Sequence, residues 1–156
     1  MANFEVIKHT LEGVINSQLN ATRINQGAWE WFNALYRVVS ANRYTGTATI
    51  YGPRQLSAGT NVVETVPVTL FGAWVDNSMA AEDLLLQFAN AAATPGTTDI
   101  LGALFGLRAA QRGYVWPEGQ VHSSRLEVYS TAASNAGLEA GTASTTQPTV
   151  ILVYTK

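Results

Sequence analysis

The chain has 156 residues, 47% of them hydrophobic and only 13% charged, a length at which a single domain buries about 68–70% of its unfolded surface. It contains no cysteine, which excludes disulfides, thiolate metal sites and a thiol nucleophile. Its net charge is −2, with two lysines beside seven arginines, so it lacks the basic excess of a nucleic-acid binder, and no sequence-specific nucleic acid is expected as a partner.

At the N-terminus, Met1-Ala2-Asn3-Phe4-Glu5 does not read as a secretory signal, and no apolar run reaches the about 18 residues needed to cross a bilayer. No membrane partner is expected. Phe4, Ile7, Leu11, Val14 and Ile15 recur at helical spacing, predicting an amphipathic helix over residues 3–19. Trp29, Phe32, Leu35, Tyr36 and Val39 predict a second helix. From Tyr44 the period falls to two, predicting a strand ended by Gly52-Pro53. A second strand is expected over residues 62–75, with Pro67 at an edge or bulge. The two strands together read as an antiparallel hairpin.

Asp76-Asn77-Ser78 reads as a helix start, followed by Ala81, Leu84, Leu85, Phe88 and Ala92 as an apolar stripe. Thr98 then caps a further predicted helix carrying Ile100, Leu101, Leu104, Phe105 and Leu107, with Gly113 as its stop. Residues 113–124 read as a loop containing Trp116-Pro117-Glu118-Gly119. A strand is expected over residues 125–130, then a small-residue loop or arm over 131–147, then a strand over 149–155 covered on both faces. The expected fold is therefore one α+β domain over residues 1–156: an antiparallel sheet from two β-hairpins with helices packed on one face.

Chemistry is sparse. Glu118, His122, Ser123 and Arg125 form the one stretch with an acid, an imidazole, a hydroxyl and a guanidinium. Adjacent residues of an extended segment point to opposite sides, so His122 and Ser123 are poorly placed as base and nucleophile. The chain reads as a non-enzyme, with no catalytic residue, no metal site and no cofactor assigned. Gly102 and Gly106 lack the preceding strand and following lysine of a phosphate loop. The expectation is a surface that binds other proteins, with Trp31, Arg108, Arg112, Trp116 and Arg125 as candidate interface residues, because aromatics and arginines are favoured in interfaces. The alternative from another class is a small-ligand or carbohydrate-binding module that uses exposed tryptophans.

The neutral, Ala/Thr/Gly/Asn-rich, cysteine-free composition resembles tailed-bacteriophage virion proteins. An N-terminal helix, a hairpin ending in Val66-Pro67-Val68-Thr69-Leu70-Phe71, a helix over residues 80–92 and the closing strand Thr149-Val150-Ile151-Leu152-Val153-Tyr154 make an element order similar to that of tail-terminator proteins. That resemblance implies a homo-oligomeric virion assembly protein, a tail terminator or head–tail connector. Its partners would be copies of itself and other virion proteins, and it would be located in the virion. A capsid decoration or minor capsid protein is the nearest variant.

Overall fold

The computed structural model describes residues 30–35, 37, 48–95, 99–132 and 146–156. The helix expected over residues 3–19, and residues 133–145 of the small-residue loop, lie outside them. The described residues form β1 (Ala48–Gln55), β2 (Asn61–Glu64), β3 (Val68–Asp76), β4 (Leu84–Ala89), β5 (Gly102–Gly106), β6 (Gln111–His122), β7 (Leu126–Ala132) and β8 (Thr149–Thr155). A short helix covers residues 30–35 and 37, within the second predicted helix.

The strands make two four-stranded antiparallel sheets, β1-β8-β3-β6 and β2-β7-β4-β5. β1 pairs with β8, β2 with β7, β3 with β6 and β4 with β5. This is the pairing of one long hairpin, with β1 to β4 running against β5 to β8. The hairpin rolls up because β3 also pairs with β8, and β4 with β7. Two sheets closed in this way form an eight-stranded jelly roll.

Between the sheets lies a continuous core that includes Val68, Leu70, Ala73 and Val75 of β3, Leu84, Leu86 and Phe88 of β4, Leu126 and Val128 of β7, and Val150, Leu152 and Tyr154 of β8. Alternation along each strand sends every second side chain there. On β3 the register shifts between Leu70 and Gly72, opposite both neighbouring strands. That shift moves Trp74 to the outer face instead of the face of Val68 and Leu70. The short helix packs on this outer face. The rings of Trp31 and Trp74 lie 5.8 Å apart, and Trp31 Nε1 donates to the Tyr114 carbonyl at 2.9 Å. Gly113 of β6 gives the Trp31 ring its room, since a Cβ there would strike it.

The expected α+β fold is thereby corrected to an almost entirely β structure. Residues 80–92 contain β4, whose six residues are all buried. A strand covered on both faces carries a continuous apolar run, and a run that short has no period by which to tell strand from helix. Of the further helix predicted from Thr98, residues 102–113 are likewise β5, a turn and the start of β6. Asp76-Asn77-Ser78 ends a strand instead of opening a helix. The Ser78 N–H and Oγ both bond Asp76 Oδ1, a side-chain-to-backbone turn that the same residue types favour.

The expected hairpins are also absent, because β1 pairs with β8 and β7 with β2 and β4. β1 continues through Gly52-Pro53 to Gln55, and Pro67 separates β2 from β3. The expected loop 113–124 is largely β6. Residues 116–119 nonetheless bulge out of the ladder, since Leu70 pairs with Gln120 and Gly72 with Val115. The closing strand is as expected, buried from Val150 to Tyr154.

Candidate assembly surfaces

Alternate connections of a jelly roll gather at opposite ends. At the first end, Asn77 N–H donates to Ala110 O at 2.9 Å, Ala109 N–H to Ala80 O at 3.2 Å and Leu56 N–H to Pro148 O at 3.0 Å. Asn77 is the hub: its buried amide Nδ2 donates to Glu82 O and to Gly106 O. A shallow pocket of about 60 Å³ lies here, lined in part by Gln55, Asp76, Ala80 and Thr149. Above it Met79 stands 88% exposed.

At the second end, Asn90 ties the β4–β5 connection to the β6–β7 turn. Its Nδ2 donates to Ser123 Oγ at 2.9 Å, and its Oδ1 accepts the N–H groups of Ser124 and Arg125. Glu127 accepts the Ala93 N–H at 2.8 Å and pairs with Arg125. Val66, Leu101 and Val121 are exposed at this end. On the same side of the molecule Glu64 of β2 clamps the two sheets, accepting the Tyr154 hydroxyl and the Lys156 ammonium, each at 2.7 Å. Burial opposes the Glu64 charge, but those two donors outweigh it and hold its carboxyl below the ordinary value. Burial, with the Glu64 carboxylate beside it, pushes the Tyr154 hydroxyl upward.

In the stretch from Glu118 to Arg125, the side chains of His122, Ser123 and Arg125 are engaged within the chain. His122 is fully buried, its Nε2 is 3.0 Å from Gln120 Oε1, and Ser123 bonds Asn90. Burial pulls the imidazole pKa below 6.5, against the opposing effect of the Ala89 and Arg125 backbone. Among the described residues no group of three or more His, Asp or Glu is placed to hold a metal ion.

Among the candidate interface residues, Trp31 is 5% exposed and covered by its own chain. Trp116 is half-buried and packs edge-on against Phe88, with centroids 5.6 Å apart. Arg125 is partly buried in its ion pair. Arg108 and Arg112 are exposed beside the β5–β6 turn, and Arg112 stacks over the Tyr114 ring at 5.7 Å. The structure thus stacks Arg112 on Tyr114, sets Trp31 on the opposite face of β6 with its Nε1 on the Tyr114 carbonyl, and leaves Trp116 and Arg125 apart from them.

No known protein family, curated protein or solved structure matches the chain. The surface must be read on its own chemistry. Its prominent features are apolar: Met79, Phe105 and Leu107 toward the first end, Val66, Leu101 and Val121 toward the second, and Val62 on β2. Sequence reasoning placed Phe105 and Leu107 on a buried helix stripe and so missed them as surface residues. No signal in the sequence singles out Met79. No helix among the described residues is long and apolar enough to cross a membrane.

Proposed function

We propose that the chain is a structural subunit of a virus particle, a jelly-roll shell protein that assembles with copies of itself. Jelly rolls serve as viral capsid domains, as lectins and as metal-holding cupins, so the fold alone does not choose. The surface supports the first use. A sugar site built on tryptophans wants their rings exposed, whereas among the described tryptophans Trp31 and Trp74 are buried and Trp116 is packed on Phe88. A cupin centre wants clustered histidines and carboxylates, and the described residues offer no such cluster. The observation that carries the reading is the jelly-roll pairing with large apolar side chains exposed at both ends. Such patches mark protein–protein contacts, and a chain with only 13% charged residues has little self-repulsion to oppose them. The element order behind the similarity to tail terminators is not the observed one, which shifts the proposal from tail ring to shell.

Light scattering on the purified protein across a concentration series, with electron microscopy of the same fractions, tests this. Closed shells or symmetric rings are the expected outcome. A strict monomer at every concentration, with sugar-dependent tryptophan fluorescence, would replace the reading with a lectin-like one.

A further inference from the structure

Among the described residues β5 is an edge strand, paired with β4 alone. Leu104 points inward against the core, so alternation turns Ala103 and Phe105 outward, with Leu101 and Leu107 continuing the same row just beyond the strand. Leu101, Phe105 and Leu107 are all exposed. An outward row without a single polar side chain is unusual on an edge strand, which native proteins ordinarily protect with charge. The free edge itself is partly occupied, because the Tyr114 hydroxyl donates to Phe105 O at 2.6 Å. What remains available is the face of the row, not its backbone.

We propose that this outer face of β5 is a two-fold contact between copies of the chain. The row is self-complementary about Leu104. Run antiparallel against a second copy, it sets Leu101 against Leu107 and the small Ala103 against the large Phe105, twice over, as a two-fold contact requires. The charges agree. Exposed Asp99 precedes the row and exposed Arg108 follows it, so the same operation sets Asp99 of each copy opposite Ala109 of the other, one residue along from Arg108. The Arg108 backbone is already held in place, its N–H donating to Asp83 Oδ1 at 2.8 Å. Four side chains make a contact smaller than the about 1,200–2,000 Å² of a stable dimer. It becomes effective when other contacts close the same assembly and repeat it many times.

This inference rests on the self-assembling shell proposed above. The test compares the assembly of the full chain with that of Phe105→Asp, Asp99→Arg and Arg108→Asp, read by light scattering, with near-ultraviolet circular dichroism to establish that each variant is folded. Phe105→Asp is expected to raise the concentration at half-assembly at least about tenfold, a change in the range seen for truncated interface anchors. Each charge reversal alone should weaken assembly. An equimolar mixture of Asp99→Arg and Arg108→Asp chains should recover it, since each unlike pair then has two attractive contacts, and a merely structural defect would gain nothing from mixing. Wild-type assembly by folded Phe105→Asp, or mixing that restores nothing, overturns the β5 contact and leaves the shell intact. A wild-type chain that never assembles overturns both.

Discussion

Asn77 is 2% exposed, and its side-chain amide is the donor for Glu82 O at 3.0 Å and Gly106 O at 3.1 Å. Replacing it with alanine leaves both carbonyls without that donor. A buried polar group left unsatisfied costs about 1–3 kcal/mol, and each kcal/mol lowers Tm by about 2–4 °C in a chain of this size. Asn77→Ala should therefore lower the melting midpoint by several degrees. Asn77→Asp should do at least as badly, because a carboxylate aimed at two carbonyls repels them. Calorimetry on the two variants decides it, and an aspartate variant as stable as wild type would show that the amide donors are dispensable.

Acid should act on the fold in two stages, set by His122 and Glu64. The folded imidazole has a pKa below its ordinary 6.5, so between those two values the unfolded chain binds more protons than the folded one. The stability that neutral His122 brings is complete above about pH 6.5 and is lost as pH falls below it. Glu64, also depressed, adds stability that persists to lower pH and is lost only below its ordinary carboxylate value of 4.5. Denaturant melts across this range should show both stages. His122→Gln should remove the upper one and Glu64→Gln the lower, and a single stage unaffected by His122→Gln would contradict the assignment.

At the scale of elements, glycines decide which pieces can touch. Gly113 leaves space for the Trp31 ring, and a Cβ added at Gly72 would meet the Leu35 methyls at 3.0 Å. Gly113→Val should lift the short helix off its sheet while leaving the two-sheet core in place. The readout is fluorescence, with a red shift as Trp31 and Trp74 gain water. Gly72→Ala should do much less, because a leucine methyl can give way where an indole pinned by a hydrogen bond cannot. Gly52 is constrained differently. Its φ is +96° and a Cβ would collide with Val150 O, so Gly52→Ala should unsettle the β1–β8 ladder at its bulge.

The same elements explain what could be read from the sequence. β8 was legible because its apolar run matches the burial it has, and β7 because its alternation marks a strand, although Glu127, Tyr129 and Thr131 on its other face are buried too. β4 and β5 were not. β4 carries apolar residues on both faces, its outer Leu85 and Ala89 being buried with Gln87 between them, and Leu and Ala otherwise favour helix. β5 carries the exposed row Leu101-Ala103-Phe105-Leu107 opposite core-facing Leu104, so the polar half of the alternation that marks a surface strand is missing. The feature proposed as the copy–copy contact is thus the one that hid the strand. β6 was obscured by Gly113, Pro117 and Gly119, of which the last two lie in its bulge. Of the candidate interface residues, Arg108 keeps an open surface beside β5, whereas Trp31 was drawn into its own chain.

Across the whole molecule, the pairings that close the roll join distant residues, Ala48 with Thr155 and Thr69 with Thr155 among them. β8 lies between β1 and β3 and is inserted last in chain order, so one sheet cannot be completed without the final residues. Folding dominated by such contacts is slow, on the order of milliseconds to seconds or longer. While it proceeds, the apolar rows proposed to serve assembly are open to wrong partners.

The low charge makes a sharper prediction about assembly itself. If association were chiefly ionic, rising sodium chloride would dissolve it, since exposed charges are screened beyond about 8 Å at physiological ionic strength. With 13% charged residues and with Met79, Phe105, Leu107, Val66, Leu101 and Val121 exposed, burial of apolar surface should dominate instead. Sulfate strengthens such burial by exclusion from the protein surface. Moderate ammonium sulfate should therefore lower the concentration at half-assembly. Sodium chloride should weaken assembly only slightly, by the part owed to Asp99 and Arg108, and that residual salt dependence should vanish when both are replaced by neutral residues. Dissolution by salt alone would show that charges outside these two govern the contact, and the apolar rows would lose their claim to it.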